Sequence, residues 1–138
     1  MKNKTFWIGL IVVYIVIQAL GYVIHEVMMG DTYEGLASIF RPDAEMMDMM
    51  WMMMVSSAVM MFMFCYIFTR GYEGKGTMEG VRFGALIGFL MAGPMSIDQH
   101  VIYPLPADVA SIWLISGIVS FMIAGAVFAA IYKPDTAG

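Results

Sequence analysis

The sequence predicts an all-α membrane protein: a four-transmembrane-helix bundle of two helical hairpins in parallel repeat, with both termini on the cytoplasmic side. Three observations carry this. Hydrophobic residues make up 61% of the 138 residues and charged residues only 13%, outside the range of soluble domains. The apolar residues gather in four long segments, at about residues 7–27, 49–68, 83–103 and 109–132, and ~20 apolar residues suffice to cross ~30 Å of hydrocarbon. Six of the seven Lys and Arg residues (Lys2, Lys4, Arg70, Lys75, Arg82 and Lys133) then fall on one side and Arg41 alone on the other, which is the positive-inside pattern. The chain is read as one domain, residues 1–138.

The first span follows Met-Lys-Asn-Lys. Its apolar run is longer than that of a secretory signal, and its one small-x-small triplet, at residues 19–21, is followed by more apolar residues, so it is expected to be retained as a helix. The loop after it carries Tyr33, Leu36, Ala37 and Phe40 at helical spacing before Arg41 and Pro42, which predicts two turns of interfacial helix. Asp43, Glu45 and Asp48 open the second span, where carboxylates suit the positive end of a helix dipole. Together with Glu26, Asp31, Glu34, Asp98 and Asp108 they make the outer side acidic, whereas Glu73, Glu79 and Asp135 lie inside. A short Gly-rich turn, residues 69–76, joins the second span to the third and has no strand before it, so it is no phosphate loop.

The third span is the weak one. It is largely apolar only over residues 83–97, roughly 22 Å of helix, so it crosses the bilayer only if Asp98, Gln99 and His100 also lie at or below the membrane surface. Gly93-Pro94 predicts a kink just before that polar end. Gly80, Gly84 and Gly88 form a smooth stripe on this span, and Ser116, Ser120 and Ala124 form another on the fourth. Such rows let helices approach closely in lipid, and the two are expected to face each other or a second protein. Aligning Gly9 with Gly84 also aligns His25 with His100 and, past the unequal loops, Trp51 with Trp113. These matches are the basis of the two-hairpin repeat.

Chemistry in a membrane is sought first at intramembrane ionisable residues. His25, Glu26, Asp98 and His100 qualify, and the repeat sets them at similar depth near the outer surface. If the first and third spans touch, two imidazoles and two carboxylates converge, a set able to ligate a divalent metal, hold haem through two axial histidines, or relay protons. Structural histidines bonded to water, loop carbonyls or the neighbouring acids are the alternative. Ten of the 17 methionines lie between residues 46 and 63. Met46, Met49, Met50 and Met53 stand one helical turn apart in pairs and could offer thioether sulfur to copper. Methionine as a flexible apolar filler explains the same run. Gln18, Ser56 and Ser57 lie mid-span and are expected to hydrogen-bond between helices. Cys65, the one cysteine, excludes an internal disulfide and a Cys-based metal site. No nucleophile triad and no nucleic-acid patch is present.

Two resemblances attach to these motifs. The M-x3-M pattern followed by a G-x3-G helix resembles the eukaryotic copper-transporter family, but only over those motifs. That family has three spans and an external N-terminus, against four and an internal one here. Residues 68–84 (F-T-R-G-Y-E-G-K-G-T-M-E-G-V-R-F-G), with Tyr103-Pro-Leu-Pro106 and Ile131-Tyr-Lys-Pro134, look like a group of small uncharacterised four-helix bacterial inner-membrane proteins. That likeness implies a bacterial cytoplasmic-membrane location and brings no activity and no catalytic residues. The expectation is therefore a non-enzymatic membrane subunit that binds another membrane protein or its own copies, without cofactor. A copper or haem site at the outer surface is the second expectation and a small proton-coupled transporter the third.

Overall fold

Asn3 starts the first helix as its N-cap, its Oδ1 accepting from the Phe6 N–H at 3.1 Å. The computed structural model describes residues 3–134, so Lys2 and Asp135, counted above, lie outside the described residues. The elements are α1 (Lys4–Tyr22), a π-helical turn (Val23–Met28), α2 (Gly30–Gly35), α3 (Asp43–Arg70), α4 (Thr77–Ile102) and α5 (Ala107–Ile131). No strand occurs among the described residues. Four helices are long and apolar enough to span a bilayer: Lys4–Met28, which joins α1 to the π turn, and α3, α4 and α5.

The third span keeps its helix beyond its apolar run. α4 runs without a break through Pro94 to Ile102, taking in Asp98, Gln99 and His100. The Gly93-Pro94 pair does not end the helix. The interfacial segment also differs from its reading. α2 starts earlier, at Gly30, and ends at Gly35; three-residue turns carry the chain on, with Leu36, Ala37 and Ile39 each donating three residues back. Gly35, among the poorest of residues at continuing a helix, favours this early stop.

Packing is unequal around the bundle. The α4–α5 pair makes by far the most extensive contact, α1 packs on α5 and less on α3, and α3 touches α4 only lightly. The glycine stripe explains the first of these. A Cβ built on Gly80 would stand 1.9 Å from the Gly125 carbonyl oxygen, and one on Gly84 2.1 Å from that of Phe121. On Gly88 it would stand 2.9 Å from the Ile118 α-carbon. Only hydrogen fits at these positions, so the two backbones run in direct contact, the condition under which dispersion drives helix association in lipid. The facing row on α5 is therefore Ile118, Phe121 and Gly125, not the expected Ser116, Ser120 and Ala124. Ala124 is fully buried in the core cluster, while Ser116 and Ser120 are half-buried.

Large rings fill the space where helices stand further apart. Phe6 and Phe68 meet Phe128 edge-on at 5.9 and 5.6 Å, and Phe64 packs between Phe83 and Phe121 at 4.9 and 5.4 Å. On α3 this core takes in Met61, Phe64, Cys65 and Phe68, all in the last third of the helix. None of residues 43–60 is buried, and only Met49, Ser57 and Met60 are half covered.

The end of the bundle that holds Asn3, Lys133 and the α3–α4 loop is tied by polar groups. The Lys133 carbonyl accepts from Asn3 Nδ2 at 2.7 Å, and the Lys133 N–H donates to Thr5 Oγ1 at 3.0 Å, so the start of α1 is fastened to the end of α5. Between α3 and α4, Gly74 and Gly76 take positive φ of 77° and 78°, and the Glu79 carboxylate accepts from the Glu73 and Lys75 N–H groups at 2.6 and 2.7 Å. A carboxylate in the first turn of α4 thus holds the loop that precedes it.

The seam makes a direct prediction. Gly84→Ala should destabilise the bundle by at least ~1–3 kcal/mol, since backbone must move to admit the methyl, whereas Gly71→Ala, with nothing near its Cβ, should leave the melting temperature unchanged. Equal melting of the two variants in detergent would show that the seam does not carry the fold.

Candidate functional site

The Val23–Met28 turn sets the geometry of the end of the bundle opposite Asn3 and Lys133. Residues 23–28 leave the α pitch for an i→i+5 turn, a local widening that is rare in helices and concentrates at functional sites. The turn carries His25 and Glu26, and Met29 links it to α2. His25 stacks on Tyr33 with their ring planes 15° apart, and its Nδ1 lies 2.7 Å from Tyr33 Oη. Trp113 Nε1, from α5, donates to the same oxygen at 2.7 Å, and Met29 Sδ lies 3.4 Å from it. Phe40 closes on the Tyr33 ring edge-on at 5.5 Å.

Tyr33 is thus the hub of this end, joining the π-helical turn, α2 and α5 through one oxygen. An indole N–H can only donate, so Oη accepts from Trp113 and has one proton of its own to give. With His25 neutral, that proton goes to Nδ1 and the imidazole carries its hydrogen on Nε2. With His25 charged, Nδ1–H donates to Oη and the phenol proton turns to Met29 Sδ. The hub remains closed in both states. Burial pushes the Tyr33 phenol above its ordinary range, the Trp113 hydrogen bond opposes this, and the Glu26 charge adds to the rise. Tyr33 therefore keeps its proton, and its donor role, at neutral pH.

His100 is engaged elsewhere. Its Nδ1 donates to the Leu105 carbonyl at 2.7 Å, across the turn between α4 and α5. A carbonyl accepts only, so the proton of neutral His100 lies on Nδ1 and Nε2 keeps its lone pair. Glu26 and Asp98 are exposed and make no hydrogen bond or ion pair among the described residues. The expected convergence of His25, Glu26, Asp98 and His100 does not occur: among the described residues no group of three or more His, Cys, Asp or Glu is placed to hold a metal ion. The physical reason is the packing order, in which α1 lies on α5 and α3 and has no major contact with α4.

Met46, Met50 and Met53 are exposed on the uncovered half of α3, at 37%, 43% and 66%, and Met49 is half-buried. The two tryptophans matched by the repeat also differ, since Trp51 is 59% exposed while Trp113 is half-buried and bonded. Gln18 and Ser57 do hydrogen-bond between helices, Ser57 Oγ donating to Gln18 Oε1 at 3.2 Å, and Tyr14 Oη donates to the Met54 carbonyl at 3.2 Å. Ser56 is exposed.

Sequence reasoning missed Tyr33, which it placed only in an amphipathic row. The contact that defines its role spans 80 positions to Trp113 and depends on a π turn that periodicity does not announce.

Compared with protein-family models, curated proteins and solved structures, the chain matches none of them. Its class rests on its own architecture, which is that of an all-helical, multi-pass membrane protein with four candidate spans.

Tyr33→Phe keeps the ring and removes the hub oxygen's bonds. It is expected to cost ~1–3 kcal/mol, because the Trp113 N–H loses its partner in a half-buried site, and to shift tryptophan emission. Unchanged emission and melting would show that the hub is not formed.

Proposed function

We propose that this protein is a non-enzymatic integral membrane subunit that works by binding, within the bilayer, another membrane protein or further copies of itself. The observation that carries this is the uncovered half of α3. Residues 43–60 present apolar side chains on every face and no buried one, while the glycine stripe is already spent inside the chain on α5. The surface left for a partner is therefore α3 with the adjoining face of α1, in place of the glycine stripe first expected to serve. Methionine supports the reading, because its unbranched, polarizable side chain adapts to a facing surface.

The same proposal includes orientation and place. The charge asymmetry supports cytoplasmic termini, and the resemblance of residues 68–84 supports a bacterial cytoplasmic membrane. The parallel order of the two hairpins rests on the sequence matches alone. One observation favours a second reading, in which the outer end binds a soft metal: His100 is oriented by a carbonyl with its Nε2 lone pair free, the usual state of a ligating imidazole.

Affinity purification from native membranes in mild detergent, with mass spectrometry and light scattering, tests the subunit reading. A stable species well above the 15.3 kDa chain is expected. A lone monomer, or elemental analysis showing stoichiometric copper with no partner, would overturn it. For orientation, Lys75→Cys and Asp43→Cys in a Cys65→Ser background are expected to label from opposite sides, Asp43→Cys from outside intact cells.

A further inference from the structure

Gln18 lies in the middle of the first candidate span, at hydrocarbon depth when Lys4–Met28 crosses a bilayer. It stands about 21 Å along α1 from Lys4 and about 15 Å short of Met28, the two ends of the first span. Its carboxamide offers one acceptor oxygen and two N–H donors. Ser57 takes the oxygen, at 3.2 Å, and the Nε2 donors have no partner among the described residues. Turning the amide over changes which end is served but still leaves the other end open. Gln18 is only half-buried, and the surface around it is apolar and exposed: Ile11, Ile15 and Tyr22 on α1 at 59%, 60% and 64%, and Met53 on α3 at 66%. Lipid tails hold no acceptor, and at this depth no water is at hand to replace one. An open amide here is stable only against another protein surface that brings a polar group to the same depth.

We propose that this surface is a second copy of the chain, docked on the α1/α3 face so that the two Gln18 carboxamides hydrogen-bond to each other. The inference rests on the subunit reading and names its partner. A rotation axis along the membrane normal leaves depth unchanged, so Gln18 of one chain meets Gln18 of the next at the same level. A carboxamide is both donor and acceptor, so the pair is complementary to itself, as an isologous contact must be. The uncovered half of α3, beside it, supplies the apolar surface that flanks the polar contact. Small and polar groups that meet between helices are the usual cement of association in lipid, where burial of apolar area adds no drive.

The test is association of the purified full-length protein in phosphatidylcholine–phosphatidylglycerol vesicles, read by energy transfer between donor- and acceptor-labelled chains and by single-molecule photobleaching. Wild-type protein is expected to show two bleaching steps and a transfer signal that titrates with the protein-to-lipid ratio. Gln18→Leu, which suits both helix and lipid, should raise the dissociation constant about tenfold, the worth of one to two interhelical hydrogen bonds. Ser57→Ala should leave association intact, because it frees Gln18 without removing it. A role confined to holding α1 on α3 would make the two variants alike. Ala19→Cys in a Cys65→Ser background should form a disulfide-linked dimer on oxidation. Single bleaching steps at every ratio, or transfer unchanged in Gln18→Leu, would overturn the proposal. If that result came with a different protein recovered from native membranes, the subunit reading would survive and the self-pairing alone would fall.

Discussion

Gly80 and Gly125 meet backbone to backbone, each lying where a Cβ on the other would strike a carbonyl oxygen at 1.9 to 2.0 Å. In water such an approach would be one contribution among many. In lipid, where removing apolar surface from solvent adds no drive between helices, close packing of this kind is the main source of cohesion. The Gly80, Gly84 and Gly88 row therefore makes α4 and α5 a nearly rigid pair. α1 is then built onto that pair, with Gly9 admitting the Phe128 ring where a side chain would collide at 2.8 Å. α3 comes last, held at one end by Phe64 and Phe68 and lightly elsewhere.

From this order follows the contrast between the two ends of the bundle. Where α3 is packed, aromatic rings interlock and the ends of the chain are tied through Lys133. Towards the other end α3 stands largely free, and cohesion passes instead to polar contacts: Tyr33 with His25 and Trp113, and His100 with Leu105. One end is thus held by interlocking rings together with hydrogen bonds, while at the other the hydrogen-bonded hub stands beside a largely uncovered α3.

The spans and the small-residue stripe were legible because both are local patterns, a run of apolar residues and a glycine every fourth position. Even so, the stripe's partner row was misplaced by one or two residues on α5, since Ser116, Ser120 and Ala124 are small but the backbone contact falls at Ile118, Phe121 and Gly125. Periodicity says which positions share a face and not which face turns inward. Gln18 and Ser57 were legible as residues that bond between helices, because polar atoms in hydrocarbon must find partners, but that they bond to each other while Ser56 stays exposed was not. The outer end was read as four converging ionisable groups because depth can be counted along a sequence, whereas adjacency of helices cannot. Tyr33 was invisible as a hub for the same reason: His25 and Trp113 reach it from two other elements, one of them a π turn.

The fastening of Asn3 and Thr5 to Lys133 has a consequence for how such a chain is made. α5 is the partner of both α4 and α1, so neither the glycine seam nor the aromatic core can close until α5 has left the ribosome and entered the bilayer. Assembly of these helices is therefore expected to wait for α5, and a chain stopped before it would lack the helix on which both α1 and α4 pack most.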